Sequence, residues 1–343
     1  MSPSGPHVPT MKDVALRAGV SRQLVSMVMR GVPGPSEASR EKVLSAAQDL
    51  GFAVNTSARL LRQSRTRLIG VAFAAGNVFE SRFVERFLER AEAEGFGVVL
   101  APATSVRSTD VVVNELLGHR VEALACFNPA PGSPALDRAL GLVPVVWLGE
   151  RRADPRADEV RSDDGAGLLA AVEHLHGLGH RRITYVGGHG GAVGPDRAQA
   201  YRDAMTATGL TGEIDVVDSD FEEESAAQAA RELLRRRVLP SAVVCCSDQC
   251  AAAVRAVLRD AGVAVPAQVS LVGYDDSPVA GLSFNDLTSV RQDVDLTVAA
   301  TLGAIVRRLQ NPTADPSADP TPATLVVRSS TGPARAPTRR TRR

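Results

Sequence analysis

Asp163-Asp164 and Asp275-Asp276 are paired carboxylates, the residue type that general acid–base chemistry needs. Neighbours along a chain do not face one another across a substrate, so neither pair forms an acid/base couple. Cys126, Cys245, Cys246 and Cys250 are the four thiols. No His stands at metal-ligand spacing from them, and adjacent cysteines in the apolar run Ala242-Val243-Val244-Cys245-Cys246 point to opposite faces of a strand. They read as free buried thiols of a reducing compartment. Gly187-Gly188-His189-Gly190-Gly191 has the glycine to wrap a phosphate. It lacks both the Lys-Ser/Thr of a Walker A loop and the Gly-x-Gly-x-x-Gly spacing of a dinucleotide site, so it reads as a loop at the rim of a cleft. With no Gly-x-Ser-x-Gly and no cluster of metal ligands, neither an enzyme nor a cofactor is expected. The remaining chemistry is recognition by charge. Met1 to Arg67 carries ten Lys/Arg against four acids, a net +6; the whole chain nets zero, so the rest nets −6. A basic head on an acidic body suits nucleic-acid binding.

The head has the elements to position that charge. Thr10 stands three residues ahead of Asp13, a helix-start signature, and Val14, Ala15 and Ala18 give a short apolar face that Gly19 ends. Gly19-Val20-Ser21 is a turn, and Ser21 caps a second helix running to about Arg30, with Leu24, Val25 and Val28 apolar. Two short helices joined by a glycine-containing turn make a helix-turn-helix. Gly31 to Pro35 breaks the chain. Ser36 then caps a third helix with the stripe Val43, Leu44, Ala47, Leu50, closed by Gly51.

The stretch Lys12-Asp13-Val14-Ala15, Ala18-Gly19-Val20-Ser21, Val25-Ser26, Gly31, Val43-Leu44, Leu50-Gly51-Phe52, Asn55 closely resembles the DNA-binding domain of the lactose-repressor/galactose-repressor (LacI/GalR) family. The match continues through Ala58-Arg59-Leu60-Leu61, which resembles that family's hinge helix. The resemblance implies that the second helix lies in the major groove, with Arg22, Gln23 and Ser26 near its exposed start. Arg pairs bidentately with guanine and Gln with adenine, so these side chains are candidate readers of base edges. Ser21 and Asn55 would hold phosphates, while Ala58 and Leu61 would meet the minor groove, where Leu61 wedges between base pairs. Met27 and Arg30 depart from the family's common Arg and Asn. Arg30 is retained among the DNA contacts, but the operator sequence is not transferable.

The body alternates apolar strand-like runs with amphipathic stretches such as Arg82 to Glu94 and Gly165 to Leu178. The first series of runs is Leu68–Phe73, Val98–Ala101, Ala123–Phe127 and Val143–Leu148. The second is Ile183–Gly187, Ala242–Cys246 and Val269–Gly273. Continuous apolar strands separated by helices mean buried parallel sheets, and two series mean two Rossmann-like lobes with ligand at the strands' carboxyl ends. With 44% hydrophobic but only 4% aromatic residues, their cores are mainly aliphatic. The fold class expected is therefore an all-α helix-turn-helix head on an α/β body.

This body also resembles the family's effector domain, which is like a periplasmic sugar-binding protein. The landmarks are Ser162-Asp163-Asp164, Gly179-His180-Arg181-Arg182-Ile183, Arg197, Tyr201-Arg202, Ser247-Asp248, Val265-Pro266, Val272-Gly273-Tyr274-Asp275-Asp276 and Leu287 to Gln292. The resemblance implies a cleft with Arg197, Asp248 and Asp275 as polar groups, suited to a hydroxyl-rich or anionic ligand. Asn77 and Phe79 would stand on the opposite wall, where the segment Ala74 to Glu80 lacks the family's Asp and is one residue shorter. The domains follow: 1–54 helix-turn-helix, 55–67 hinge helix and linker, and 68–330 effector binding and dimerisation. Within the last, one lobe spans about 68–162 and 292–320, the other about 163–291 and 321–330. Residues 331–343 form a basic tail expected to be disordered, since from Ser329 onward nothing apolar asks for burial.

The partners implied are double-stranded operator DNA, a small carbohydrate effector and a second copy of the chain, without a membrane. No signal peptide opens the chain and no window nears the roughly 18 apolar residues of a membrane span, so a cytoplasmic repressor is expected. A solute-binding protein without gene regulation is the alternative, disfavoured by the basic head.

Overall fold

The structure is a computed structural model that describes residues 9–29, 32–52, 65–191, 193–318 and 320–335. The chain divides into two compact units, Met1–Thr66 and Arg67–Arg343.

In the first unit α1 (Met11–Ala18), α2 (Arg22–Met29) and α3 (Glu37–Asp49) follow the local signals. The Asp13 carboxylate accepts from Thr10 N and Oγ1 at 2.8 and 2.7 Å. Gly19 ends α1 at φ 65°, a left-handed conformation that a side chain would strain. Ser21 Oγ accepts from Leu24 N at 3.1 Å, and Ser36 Oγ accepts from Ser39 N at 3.4 Å. Val14, Val25, Val28, Val43, Ala46 and Ala47 make the core. Leu44 is a correction to the expected stripe: it is 50% exposed, and Ala46 takes the inner face. Positions 43, 46, 47 and 50 complete an i, i+3, i+4, i+7 arc, from which 44 lies a quarter-turn away.

The second unit holds two sheets. Strands β1 (Leu68–Ala74), β2 (Gly97–Ala103), β3 (Ala123–Phe127), β4 (Val145–Leu148) and β5 (Asp158–Val160) form the first, all parallel, in the order β2-β1-β3-β4-β5. Helices α4 (Val78–Ala93) and α12 (Val294–Gln310) cover one face; α5 (Thr109–Gly118) and α6 (Pro134–Leu140) cover the other. Double coverage explains why β1, β3 and β4 are apolar throughout rather than alternating.

The second sheet contains β6 (Ile183–Val186), β7 (Asp215–Val217), β8 (Ala242–Cys245), β9 (Ser270–Asp275), β10 (Thr288–Gln292) and β11 (Ala323–Val326). Their order is β11-β10-β9-β8-β6-β7, with only β11 antiparallel to its neighbour. Helices α7 (Asp164–Gly177), α8 (Val193–Ala207), α9 (Glu223–Arg235) and α10 (Asp248–Asp260) flank it, and the short α11 (Pro278–Gly281) follows β9. The chain passes between lobes beside Ser162, whose Oγ donates to Gln292 Oε1 at 2.8 Å.

The expected disordered tail needs correction up to Arg335. Ser330 is fully buried; its Oγ accepts from Thr288 N at 2.8 Å and donates to Leu271 O at 2.6 Å. Gly332 N donates to Ser270 Oγ at 3.0 Å, and Ala334 N donates to Leu178 O at 2.8 Å. Small polar residues are held here by the hydrogen bonds they complete, not by apolar burial. Residues 336–343 lie outside the described part. Among the described residues, no helix is long and apolar enough to cross a membrane.

Candidate functional site

Two surfaces collect the residues singled out from the sequence. The first is the start of α2. With the Ser21 hydroxyl occupied by the Leu24 amide, Arg22 and Gln23 occupy the exposed first turn, and Ser26 is half-buried one turn on. Val25 and Val28 face inward, so the reading face and the core face of α2 are separate. Met27 is also half-buried, its Cε lying 3.4 Å from where a Cβ on Gly34 would stand. Arg30, Asn55, Ala58 and Leu61 lie outside the described residues.

The second is a cavity of about 370 Å³ walled by both lobes. It opens at the carboxyl ends of the strands, where Ala74 ends β1, Phe127 ends β3, Asp275 ends β9 and Gln292 ends β10. Parallel strands aim their chain ends at one edge, which is why side chains far apart in sequence converge there. Asn77, Phe79, Arg197 and Asp275 line this cavity.

Asp248 does not line it and is a correction. It is fully buried between Ser247 and Gln249, which do line it; its Oδ1 accepts from Ser289 Oγ at 2.6 Å and its Oδ2 from Ser277 N at 2.6 Å. Its carboxylate thus braces the turn after β9, while Ser247 caps α10 by accepting from Cys250 N at 3.2 Å. Gly190 and Gly191 of the glycine-rich loop stand in the wall. All four cysteines are free and buried.

Arg197 is the best-anchored member. Its Nε donates to Asp164 Oδ1 at 3.1 Å and its Nη1 to Cys246 O at 2.9 Å, with Asp275 Oδ1 at 3.9 Å. The guanidinium lies 3.8 Å from the Tyr274 ring centroid, and the Tyr274 hydroxyl donates to Asp164. Burial works against its charge, but Asp164, Tyr274 and Asp275 hold it ionised.

The lining residues not named as candidates from sequence include Glu80, Asn128, Phe221 and Gln292. Glu80 is 3% exposed; its Oε2 accepts from Ala74 N at 2.6 Å and its Oε1 from Asn128 Nδ2 at 3.2 Å. Asn77 caps α4 by accepting from Glu80 N at 3.1 Å, so the Asn-x-x-Glu spacing was the available signal. Gly149, at φ 87°, leaves room for Asn128: a Cβ there would stand 2.6 Å from Asn128 Oδ1. Gln292 Nε2 donates to Asp275 Oδ1 at 2.6 Å. Glu80, in the first turn of α4, thus places an acid on the first-lobe wall.

Burial pushes the Glu80 carboxyl up to about 7, helped by Asp275 and opposed by the Ala74 and Asn128 hydrogen bonds. Burial likewise pushes Asp275 up to about 7 against the pull of Arg197. A folded-state pKa above the unfolded one means that the folded protein holds the extra proton. That contribution is full below the unfolded pKa and is lost as pH rises through about 7. Glu80→Gln, which mimics the protonated form, is expected to flatten this slope. Its melting temperature should match wild type near pH 4 and exceed it at pH 8. Parallel melting curves across that range would show that Glu80 is not the group responsible.

Residues 10–55 match the family described as "Bacterial regulatory proteins, lacI family", and residues 172–331 match "Periplasmic binding protein-like domain". The HTH-type transcriptional regulator CelR of Thermobifida fusca is 33% identical over 323 residues, covering 90% of this chain and 94% of its own. The chain belongs to the LacI family. As a LacI-family protein it is a helix-turn-helix transcription regulator with two parallel-sheet lobes. It is similar to the lac repressor dimer bound to operator and the anti-inducer ONPF, with TM-score 0.81 and 28% identity over 95% of this chain and 100% of that one. It is also similar to the CelR–cellobiose complex, with TM-score 0.69 and 30% identity over 94% and 99% of the two chains.

Proposed function

We propose that this regulator is a ligand-responsive repressor that works in the cytoplasm, binds a pseudo-palindromic operator as a homodimer and turns over no substrate. One observation carries the reading: a single chain joins the exposed first turn of α2 to a cavity walled by both lobes. In this reading α2 enters the major groove, Arg22 and Gln23 meet base edges with Ser26 and Arg30 beside them, and Ser21 and Asn55 hold phosphates. Ala58 and Leu61 meet the minor groove, with Leu61 as a wedge that kinks the duplex.

The effector is a hydroxyl-rich molecule, a sugar or sugar derivative. Asn77, Asn128 and Gln292 offer amides to hydroxyls, while Phe79, Phe127 and Phe221 offer apolar ring surface. The cellobiose held by CelR supports that class. Arg197 and Asp275 complete the polar wall. Because both lobes contribute, ligand binds one lobe arrangement better than another, and that difference couples the cavity to the 55–67 segment.

The test is genome-wide binding-site sequencing followed by mobility shift of the recovered operator with purified chain, titrated with sugars. A specific complex whose affinity changes with one sugar is expected. No specific complex would sink the regulator reading in favour of a solute-binding role, and turnover of the sugar would overturn the non-enzymatic one.

A further inference from the structure

The cavity is unbalanced in charge. Glu80, Glu222, Glu223 and Asp275 bring four carboxylates to its wall against the one guanidinium of Arg197. That guanidinium is engaged by Asp164 and the Cys246 carbonyl. Among the described residues of the wall no further cation stands ready for a ligand phosphate or carboxylate, which on desolvation requires one.

Two of the acids come from opposite walls and are both desolvated. Glu80 belongs to α4 of the first lobe and is 3% exposed; Asp275 ends β9 of the second lobe and is 8% exposed. Beyond burial, Asp275 raises the proton affinity of Glu80, and Asp248 and Asp164 behind Asp275 raise that of Asp275. Facing Glu80 are the Ala74 amide and the Asn128 side chain; facing Asp275 are Gln292 and Arg197. Closing the cleft over two carboxylates costs free energy unless they take up a proton or a positive group separates them.

We propose that the cavity takes a hydroxyl-rich ligand bearing a protonated amine, seated between the carboxylates of Glu80 and Asp275, and rejects phosphorylated and carboxylated sugars. The inference rests on the polyhydroxyl reading of this cavity. The ammonium would bridge one carboxylate from each lobe, so its binding favours closure; the remaining hydroxyls meet the amides and phenyl rings.

The test is calorimetric titration of the full chain at pH 7 with matched sets. Glucose, glucosamine, 6-amino-6-deoxyglucose and glucose 6-phosphate form one set; cellobiose with its amino and phosphate derivatives forms the other. An amine member is expected to bind about tenfold or more tightly than its neutral counterpart, with no binding by the phosphate. In Glu80→Gln the advantage of the amine over its neutral counterpart, both measured on the variant, should vanish, and the melting temperature of the free variant confirms that it is folded. A neutral or phosphorylated member binding as tightly as the amine overturns the inference and leaves the sugar reading standing. So does an unchanged amine advantage in Glu80→Gln. Binding by no member of either set overturns the polyhydroxyl reading, and the inference with it.

Discussion

Arg197→Ala is expected to abolish the response to effector and to lower the melting temperature of the second unit, while operator binding by folded protein persists. Arg197 is 5% exposed, and its partners are nearly as buried: Asp164 at 3.1 Å, the Cys246 carbonyl at 2.9 Å and Asp275 at 3.9 Å. Removing one member of a buried charged cluster leaves the others unpaired, which typically costs about 3–5 kcal/mol. Here the loss would leave Asp164 with the Tyr274 hydroxyl and deprive Asp275 of its nearest positive charge. The same substitution removes a polar group from the cavity wall. Arg197→Lys separates the two effects, because a point charge on a flexible stem keeps the electrostatics but not the forked geometry that spans Asp164 and Cys246. It should regain most of the melting temperature and little of the response. Operator affinity is read at a temperature below the lowered transition, since the helix-turn-helix has its own core in Val14, Val25 and Val43. An intact effector response in Arg197→Ala would remove this residue from the ligand's surroundings.

How much of this was legible in the sequence depended on how far apart the deciding residues lie. Thr10, Gly19, Ser21 and Ser36 act on backbone groups within a few positions, and each does in the structure what its local pattern predicts. Strands β1, β3, β4, β6, β8 and β9 announce themselves because burial on both faces makes them continuously apolar. The three-residue β5 does not: it contains Asp158, fully buried because Arg307 and Arg308 of α12 and the Ser317 amide surround it. An acid in a strand is tolerable only with those partners, which stand about 150 positions away in sequence. The polar strand β10 and the strap at Ser330 were obscured for the same reason, each satisfied by the other through the Thr288 amide.

The cavity shows the same division. Asn77, Phe79, Arg197 and Asp275 were placed by family resemblance, and the convergence of strand ends brings them together. Asp248 sits beside two lining residues, yet its carboxylate turns to Ser277 and Ser289. No one-dimensional pattern distinguishes the two directions. Glu80 was overlooked because an acid in the first turn of a helix ordinarily serves the helix; only its bonds to Ala74 and Asn128 reveal it as cavity wall.

Gln23→Ala should weaken operator binding by about 1–3 kcal/mol, roughly ten- to a hundredfold, and relax preference at one position in each half-site. The expectation follows from how α2 is built. Val25 and Val28 are turned into the three-helix core, whereas Gln23 is exposed two positions after the Ser21 cap. Its replacement therefore removes donor and acceptor groups without opening a cavity, and the melting temperature of the unit should not move. A side chain without charge also releases no counterion, so the slope of affinity against salt should match wild type. That sign separates base reading from phosphate holding. Arg22→Ala, by contrast, should shallow the salt slope by about one counterion if its guanidinium lies on the backbone, and leave it nearly unchanged if it pairs with guanine. Site selection from a randomised operator, run at two salt concentrations, reads both quantities together. Unchanged base preference in Gln23→Ala would show that the first turn of α2 orients the protein on DNA without reading sequence at this position. Discrimination would then have to come from Ser26, Arg30 and the hinge segment, or from the deformability of the DNA itself.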